Sequence, residues 1–513
     1  MNDKFEMVAK TLQGLEGVLA DELRALGADE VTEGRRMVAF MGDKEMMYRA
    51  NFCCRTALRI LKPFLKFHAT SADELYDHVK QFDWEQVLST DKTFSIDATT
   101  FGEEFRHSRF VTYRVKDAIV DFFNERYGKR PSIRLTNPDL RFDVHIAGTE
   151  VTISLDSSGE PLYRRGWRVA QTDAPINEVL AAGIIKLSGW DGQSNFVDPM
   201  CGSGTFLIEA AMIAANINPG VFRKEYAFQL WNDYDEEMFS RIYNDDSGER
   251  EFSYKIYGSD IEGKAVAIAR ENIKSAGLGR YIELERRAIE DITEAPEKGV
   301  LITNPPYGER LDVENIEQLY RTIGEKLKKV FTGYHAWLIC YDKEHYDKIG
   351  LKASVHYPLQ NGGLDCELRE YVIFDGTYDD LRSRGESIKN EEFRASEDKR
   401  RLPRREFRPT AETDATERPR RFESRPPRRP FDRGADRFAD RPRRKRDEQN
   451  SDHERRPRRS DDADARHSEE YARHMLRDRQ PRLGADKEVP IVKGRRKSWK
   501  RKDLDDNTST PQQ

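Results

Sequence analysis

The stretch Asn195-Phe-Val-Asp-Pro-Met-Cys-Gly-Ser-Gly-Thr-Phe-Leu-Ile-Glu-Ala-Ala211 determines the fold that this sequence predicts. An apolar run leads into an acidic residue, then a turn with two glycines, then a second apolar run. This order is typical of the strand, loop and helix that open a doubly wound α/β domain, whose first loop binds a nucleotide-like ligand at the carboxyl ends of parallel strands. Gly202 and Gly204 let the backbone approach a ligand that a side chain would push away, and the helix after Thr205 offers free N–H groups.

The composition of this loop indicates which ligand it accepts. Neither the phosphate-cradling pattern Gly-x-x-x-x-Gly-Lys-Ser/Thr nor Gly-x-Gly-x-x-Gly is present. The carboxylates of Asp198 and Glu209 also disfavour an anionic pyrophosphate. The string instead resembles the first S-adenosylmethionine loop of class I methyltransferases, whose ligand carries a cationic sulfonium and an ammonium group. The resemblance implies S-adenosylmethionine as the cofactor and these contact residues: Asp198, Pro199, Cys201, Gly202, Ser203, Gly204 and Thr205.

Other segments are predicted to complete the cofactor site. A predicted strand ends at Asp260, where a carboxylate accepts hydrogen bonds from ribose hydroxyls in this fold; a helix N-cap is the alternative role. In methyltransferases of this type the segment before the glycine loop closes over the cofactor, which implies that Asn177 and Glu178 lie near its methionine part. Ala288 stands where related sequences commonly carry Asp, so adenine contact is expected from backbone amides or from Glu290.

A second string, Val300-Leu-Ile-Thr-Asn-Pro-Pro-Tyr-Gly-Glu-Arg-Leu311, bears on the chemistry. A buried strand is predicted to end at Asn304, and Pro305 and Pro306 fix the backbone and free its carbonyls from any ladder. An exocyclic amine on a base is a weak nucleophile because its lone pair is delocalised into the ring. It needs acceptors for its N–H groups and a flat surface beside the ring. We expect Asn304 and the Pro305 carbonyl to accept and Tyr307 to stack; the alternative is a Pro-Pro turn with an incidental tyrosine.

The N-terminal region carries basic and aromatic residues in four short strings: Phe105-Arg-His-Ser-Arg-Phe110, Val115-Lys-Asp-Ala118, Arg130-Pro-Ser132 and Leu155-Asp-Ser-Ser-Gly159. Together they resemble the THUMP domain of RNA-modifying enzymes. Positive side chains would face phosphates, and Phe105 and Phe110 would stack on bases; a solvated basic loop is the alternative. Surface charge is likewise the alternative for the arginines before the glycine loop. The residues predicted to contact RNA are Arg106, His107, Arg109, Lys116, Arg164 and Arg165.

Charge is distributed unevenly along the 513 residues. Residues 1–380 contain 47 basic and 64 acidic residues, a net charge of −17, whereas residues 381–513 contain 40 basic and 28 acidic residues, a net charge of +12. From residue 377 onward aliphatic residues are few and Arg-Pro strings are frequent, which predicts a disordered tail. Its arginines and scattered phenylalanines favour non-specific RNA binding; a solubilising tail is the alternative.

The cysteines and the hydropathy of the sequence indicate its compartment. Five cysteines, spread through the chain, form neither a disulfide framework nor a metal-ligand pattern, so no bound metal is expected. The sequence has no apolar run long enough to span a membrane and no signal-peptide pattern at its first residues. We therefore expect a cytoplasmic protein with no membrane partner.

Over residues 1–376 the sequence resembles the N-terminal half of RlmL-type enzymes and their stand-alone YpsC-like relatives, a family of THUMP-domain RNA methyltransferases. The resemblance implies a ferredoxin-like α+β subdomain at 1–65 and a THUMP RNA-binding domain at 66–160. A Rossmann-like class I methyltransferase domain follows at 161–376, with the disordered Arg-rich tail at 377–513. It also implies S-adenosylmethionine-dependent methylation of guanine N2 in 23S rRNA, with an assembling ribosomal particle as the partner.

Other functions stay open on the residues alone. A tRNA guanine-N2 methyltransferase shares the N-terminal module, and a non-enzymatic RNA-binding or ribosome-assembly protein represents a different class. DNA adenine-N6 and protein glutamine methyltransferases share the string Asn304-Pro-Pro-Tyr307 but lack the N-terminal module. The intact glycine loop and Asn304 count against a protein without catalytic activity.

Overall fold

A computed structural model describes residues 3–297, 299–308, 316–376 and 378–383. The predicted basic tail lies outside the described residues from position 384 onward, as do residues 309–311 of the second string. Within the described ranges, no helix is both long enough and apolar enough to cross a membrane.

The N-terminal part is built on one mixed sheet of eight strands, in the order β2-β3-β1-β4-β8-β7-β5-β6. The strands are β1 (Phe5–Lys10), β2 (Asp29–Gly34), β3 (Met37–Gly42), β4 (Arg59–His68), β5 (Thr93–Phe101), β6 (Ser132–Ile133), β7 (Leu140–Ala147) and β8 (Glu150–Asp156). β4 pairs with β1 on one side and with β8 on the other. The predicted domain boundary at residues 65 and 66 therefore falls inside a strand that both regions share.

Four helices pack around this sheet: α1 (Glu16–Ala25), α2 (Lys44–Cys53), α3 (Ala72–Gln81) and α4 (Ser108–Tyr127). α4 ends where Gly128 takes a left-handed conformation, which glycine adopts without steric cost. Because α4 starts at Ser108, Phe110 lies on its surface and is 53% exposed. Phe105 is only 4% exposed and belongs to the core of this half. The prediction that Phe105 stacks on RNA bases is therefore wrong.

The second sheet has seven strands, in the order β11-β10-β9-β12-β13-β15-β14. They are β9 (Asn195–Asp198), β10 (Ile256–Asp260), β11 (Ile282–Arg286), β12 (Gly299–Thr303), β13 (His335–Cys340), β14 (Val355–Asn361) and β15 (Leu364–Val372). β9 to β13 are parallel, whereas β15 pairs antiparallel with β13 and β14. The accompanying helices are α5 (Glu178–Leu187), α6 (Thr205–Ala214), α7 (Glu236–Asn244), α8 (Gly263–Ala276), α9 (Ile316–Val330), α10 (Lys343–Ile349) and α11 (Tyr378–Ser383). The predicted Rossmann-like class I architecture is confirmed.

The strand order of this sheet reverses between β9 and β12. From β9 the chain proceeds through β10 to β11 at one edge, and then returns to β12 and β13 on the other side of β9. At such a reversal the loops after the two central strands diverge and open a crevice in which ligands bind. The glycine loop follows β9 and Asn304 follows β12, so the topology brings the two decisive strings of the sequence to the same crevice.

An insertion between α6 and β10 packs against the N-terminal half through aromatic rings. Phe228 stacks on Tyr48 of α2, with 4.4 Å between the ring centroids. Phe239 of α7 meets Phe52 of α2 edge to face, and both rings belong to the same buried core as β1 and β3. The insertion that lengthens the crossover between β9 and β10 therefore forms a packing surface between the two halves.

A buried ionic network also joins the two halves. Arg165 is 2% exposed, and its Nε lies 3.3 Å from Oε1 of Glu209, a fully buried residue of α6. Arg165 also donates to the backbone carbonyl of Arg55, whose own guanidinium donates to the carbonyls of Met212 and Ile217 at the end of α6. The prediction that Arg165 contacts RNA is therefore wrong, because protein groups occupy its guanidinium. Glu209 faces this network, so its carboxylate has no bearing on which ligand the glycine loop binds.

Replacing Arg165 by Met is expected to destabilise the folded chain, because it leaves the buried Glu209 carboxylate without its partner. Removing one member of a buried ion pair costs roughly 3–5 kcal/mol of unfolding free energy. The neighbouring Arg164 provides the matched control, since its side chain is 64% exposed and its ion pair is with the partly exposed Glu160. Arg164→Met should change the unfolding free energy by less than about 0.5 kcal/mol. Urea unfolding followed by tryptophan fluorescence measures both; equal midpoints for the two variants would contradict the network.

Candidate active site

A cavity of about 1070 Å³ opens at the carboxyl ends of β9, β10 and β12. Small-molecule sites usually span about 300–1,000 Å³, so this cavity has room for a cofactor and a second ligand. Its walls include all four residues of the string Asn304-Pro-Pro-Tyr307. They also include every predicted cofactor residue except Gly204: Asn177, Glu178, Asp198, Pro199, Cys201, Gly202, Ser203, Thr205 and Asp260.

The two glycines of the loop have different roles. Gly202 has a φ of +52°, and the nearest atom to an added Cβ would be the Thr172 hydroxyl at 4.0 Å, so its open side borders the cavity. Gly204 has a φ of +80°, and a Cβ there would lie 3.2 Å from the Cβ of Ala269 on α8. The structure thus places Gly204 at a close contact between the loop and α8 rather than on the cavity wall.

Asp198 connects the two loops that border the cavity. Its Oδ1 accepts a hydrogen bond of 2.7 Å from the hydroxyl of Thr303, the residue before Asn304, and one of 3.2 Å from the Met200 N–H. The carboxyl group is buried, and this burial raises its pKa to about 7. Asp198 is therefore only partly ionised at neutral pH, and its main visible contact is with the end of β12.

Asp260 holds the glycine loop from the neighbouring strand. Its Oδ2 accepts from the Gly202 N–H at 2.9 Å, and its Oδ1 accepts from the Glu262 N–H at 2.9 Å. The residue that caps α8 is Glu262, so Asp260 lies two residues before the cap position. Its carboxylate borders the cavity beside the exposed side chain of Ile261.

Arg168 is a contact residue that the sequence did not reveal. Its guanidinium donates to Glu178 at 2.7 Å, to the Ser203 hydroxyl at 2.9 Å and to the Thr205 hydroxyl at 2.8 Å. Asn177 is the N-cap of α5, and its side chain accepts backbone N–H groups of the first turn. Arg168 thus fastens the segment before α5 to the glycine loop. Arg168 lies in an arginine-rich string, and the sequence of that string does not distinguish it from the neighbouring arginines.

Asn272 is a second residue that the sequence did not reveal. It is fully buried on α8, where its Nδ2 donates to the Ala170 carbonyl at 2.9 Å and to the Ser203 carbonyl at 3.0 Å. Its Oδ1 accepts from the Val169 N–H at 2.9 Å. The sequence did contain a signal for this role, since Asn272 falls at helical spacing on the apolar face of α8. A buried amide at such a position needs hydrogen-bond partners.

The string after β12 borders the cavity opposite the glycine loop. The Tyr307 hydroxyl donates to Oδ1 of Asn304, and the Tyr307 ring meets Tyr341 edge to face, with 5.5 Å between the centroids. Burial raises the pKa of Tyr307 well above its usual range, so the hydroxyl keeps its proton. Stacking of this ring on a base stays a prediction.

The residues predicted to contact RNA differ in exposure. Arg106, His107 and Arg109 are exposed around the start of α4. Lys116 is half-buried and pairs with Asp117 at 2.6 Å. Arg164 lines the cavity that holds Asn304. Three large side chains that are also exposed in this region are Phe101, Phe110 and Tyr113.

Models of three protein families match successive parts of the chain. They are an RlmL ferredoxin-like domain at residues 6–61, a THUMP domain at 69–156, and an RMKL-like methyltransferase domain at 165–370. The chain is 40% identical over 386 residues to a "Ribosomal RNA large subunit methyltransferase K/L" of Syntrophotalea carbinolica, covering 73% of this chain and 54% of that protein. It is 37% identical over 369 residues to a Synechocystis protein named "Putative RNA methyltransferase slr0064", covering 71% of this chain and 96% of that protein.

The crystal structure of SMU.472 complexed with SAH is also similar, with a TM-score of 0.65 and 32% identity over 74% of this chain and 100% of that chain. Fold, site and matches together define a class I methyltransferase with an N-terminal THUMP region. The chain belongs to the RMKL-like methyltransferase family. It spans about half the length of the K/L relatives that it matches. The prediction of S-adenosylmethionine as cofactor is confirmed.

Asp198→Asn is expected to change how stability depends on pH. The pKa of Asp198 rises from 3.8 to about 7 in the folded state. Between these values the folded state keeps a proton that the unfolded state has lost, so the unfolding free energy falls as pH rises, by up to about 1.4 kcal/mol per pH unit. Asn can still accept the bond from Thr303 but does not titrate. The unfolding free energy of the wild type, relative to that of Asp198→Asn, should therefore fall between about pH 4 and 7. Urea unfolding at a series of pH values measures both; if the two free energies change in parallel across that range, the assignment is refuted.

Proposed function

We propose that this protein transfers a methyl group from S-adenosylmethionine to the exocyclic N2 of a guanine in 23S rRNA. The observation that carries the proposal is that the glycine loop and the string Asn304-Pro-Pro-Tyr307 border one cavity, at the ends of two neighbouring parallel strands. The N-terminal THUMP match and the name of the Syntrophotalea relative support RNA, and ribosomal RNA in particular, as the substrate.

The residues on one side of the cavity fit this cofactor. Gly202 leaves open space where a side chain would stand, and the Asp260 carboxylate beside it has lone pairs for ribose hydroxyls. Ile261 offers an apolar surface, and Ala288 borders the same wall, where an adenine ring would sit. Glu178 suits the ammonium group of the methionine part. When bound, S-adenosylmethionine supplies an electrophilic methyl group on a sulfonium.

The residues on the other side suit an amine acceptor. The Asn304 Oδ1 and the Pro305 carbonyl would accept the two N–H groups and direct the nitrogen lone pair towards the methyl carbon. The nitrogen forms the new carbon–nitrogen bond as the carbon–sulfur bond breaks, and the electron pair of that bond remains on sulfur. The aminium so formed releases one N–H proton to solvent. The contribution of the protein is to orient and desolvate the amine rather than to deprotonate it.

The N-terminal half would bind the RNA from outside the cavity. Arg106, His107 and Arg109 supply exposed positive groups for phosphates, and Phe110 supplies an exposed ring for a base. Arg164 at the cavity wall would guide the strand towards Asn304. A base in folded rRNA must leave its stack to enter such a cavity, which favours an assembling particle, whose RNA is more open, as the partner.

Loss of the gene should remove N2-methylguanosine from 23S rRNA and leave tRNA unchanged. Mass spectrometry of nucleosides from purified 23S rRNA and tRNA of a deletion strain measures this. Loss from tRNA instead would assign the protein to the tRNA guanine-N2 class. No loss from either RNA would favour a binding protein without catalytic activity.

Asn304→Ala should lower kcat by about 100-fold or more, because misplacing a reacting group costs rate on this scale. The affinity for S-adenosylhomocysteine should stay within about threefold, since Asn304 lies opposite the glycine loop. Methyl incorporation into rRNA from the deletion strain measures the first quantity, and calorimetry the second. Wild-type turnover in this variant would overturn the catalytic assignment.

A further inference from the structure

The guanidinium of Arg168 occupies the corner of the cavity where the methionine part of the cofactor is expected. The side chain of Arg168 is 17% exposed and lines the cavity. Its Nε donates to Oε1 of Glu178 at 2.7 Å, its Nη1 to the Ser203 hydroxyl at 2.9 Å and its Nη2 to the Thr205 hydroxyl at 2.8 Å. The guanidinium carbon also lies 4.8 Å from the centroid of the Trp167 ring. These contacts hold the guanidinium in one position.

Arg168 has more donors than these protein contacts use. A guanidinium carries five N–H groups, one on Nε and two on each terminal nitrogen. Among the described residues, each nitrogen of Arg168 makes one hydrogen bond, so one N–H remains on Nη1 and one on Nη2. The hydroxyl oxygens of Ser203 and Thr205 lie 3.4 Å apart and both accept from Arg168. At most one of their two protons is used between them, so a hydroxyl donor also remains.

The electrostatics of this corner favour an anion. The ion pair of Arg168 and Glu178 is neutral as a whole. Glu178 begins α5 and Thr205 begins α6, and the start of a helix carries a partial positive charge of roughly half an elementary charge. In the part of the chain that the structure describes, no side chain caps α6. The corner is therefore positive overall, and a cation beside two positive helix ends is unfavourable unless an anion joins it.

We propose that Arg168, together with the hydroxyls of Ser203 and Thr205, binds the carboxylate of the methionine part of S-adenosylmethionine. Glu178 beside it would bind the ammonium group, so the two members of one ion pair recognise the two charges of an α-amino acid. The inference deepens the proposed function, since it rests on the placement of the methionine part beside Glu178. It does not depend on which amine accepts the methyl group.

The other basic residues on the described wall of the cavity are less suited to this role. Arg165 ends in the buried network between the two halves. Arg164 is 64% exposed and has an ion pair outside the glycine loop. Lys264 is exposed in the first turn of α8, beyond Asp260 and therefore at the end where ribose is expected. Arg168 is the one of these four that contacts the glycine loop and Glu178 together.

Two ligands separate the carboxylate from the rest of the cofactor. S-adenosylhomocysteine has both the carboxylate and the amine, whereas decarboxylated S-adenosylhomocysteine has only the amine. Arg168→Met should weaken binding of the first about 10- to 100-fold, because hydrogen bonds to a charged group are lost. It should change binding of the second by less than about threefold. Calorimetry on the full-length protein measures each Kd.

Three further variants complete the experiment. Arg168→Lys keeps the charge without the planar fork of donors, so it should show the same selective loss at about 3- to 10-fold and serves if Arg168→Met does not fold. Glu178→Gln should weaken both ligands alike, because both carry the amine. Lys264→Met is the matched control, since it removes a positive charge from the same cavity at its other end. It should leave both affinities within about twofold of the wild type.

The pattern of losses decides between a ligand contact and a structural role. Equal losses for both ligands in Arg168→Met and Arg168→Lys would show that Arg168 only supports the glycine loop, and would overturn the inference. Unchanged binding of S-adenosylhomocysteine in these variants would overturn it as well, while leaving the proposed function intact. If the wild type bound neither ligand, the proposed function itself would fail.

Discussion

The parallel pairing of β9 and β12 is the constraint on which the site depends. Val197 lies opposite Leu301 in this pairing, and both strands end at the same edge of the sheet. The chain leaves them towards opposite sides, so a crevice opens between the glycine loop and the Asn304 loop. The bond from Thr303 to Asp198 crosses this crevice at its floor. The glycine loop and the Asn304 loop, a hundred positions apart in the chain, thereby become two walls of one cavity.

The coupling of the two halves gives this cavity a fixed relation to the surface predicted to bind RNA. Buried ion pairs contribute little net stability, because desolvation offsets their attraction. They do restrict geometry, since each charge requires its partner in place. Arg165 pairs with Glu209 in the middle of α6, and Arg55 donates to the carbonyls of Met212 in its last turn and of Ile217 just beyond it. Arg55 of the N-terminal half therefore fixes the end of the helix that begins at the glycine loop, so RNA bound by the first half, as proposed, would meet the cavity at a constant distance.

The parts of this molecule that the sequence predicted are those in which the backbone itself is constrained. Glycines with positive φ and a pair of prolines after an apolar strand are local requirements, so the strings around Gly202 and Asn304 could be placed correctly. Side-chain burial is not a local property. Arg164 and Arg165 are adjacent and chemically identical, yet one faces solvent and the other ends in a buried network.

Contacts that depend on two distant segments were missed for the same reason. Phe105 and Phe110 bracket a single basic string, but the start of α4 at Ser108 turns the first inward and the second outward. Arg168 and Asn272 join the lead-in segment to the glycine loop from sites 104 positions apart. The sequence around either residue gives no sign of the other, because the contact forms only after α8 packs beside the loop.

The protonation states around the cavity agree with a reaction that needs no strong base. Tyr307 holds its proton because burial raises its pKa, and Asp198 is partly protonated and engaged by Thr303. A neutral aromatic amine is far too weak an acid to lose a proton to a phenol or a carboxylate before transfer. In the proposed reaction, the aminium formed by methylation would be far more acidic than the neutral amine, so its proton would pass to water once the new bond exists. The rate then depends on how well neutral acceptors orient the lone pair, which makes the direction of the Asn304 amide a more important variable than the charge of any carboxylate.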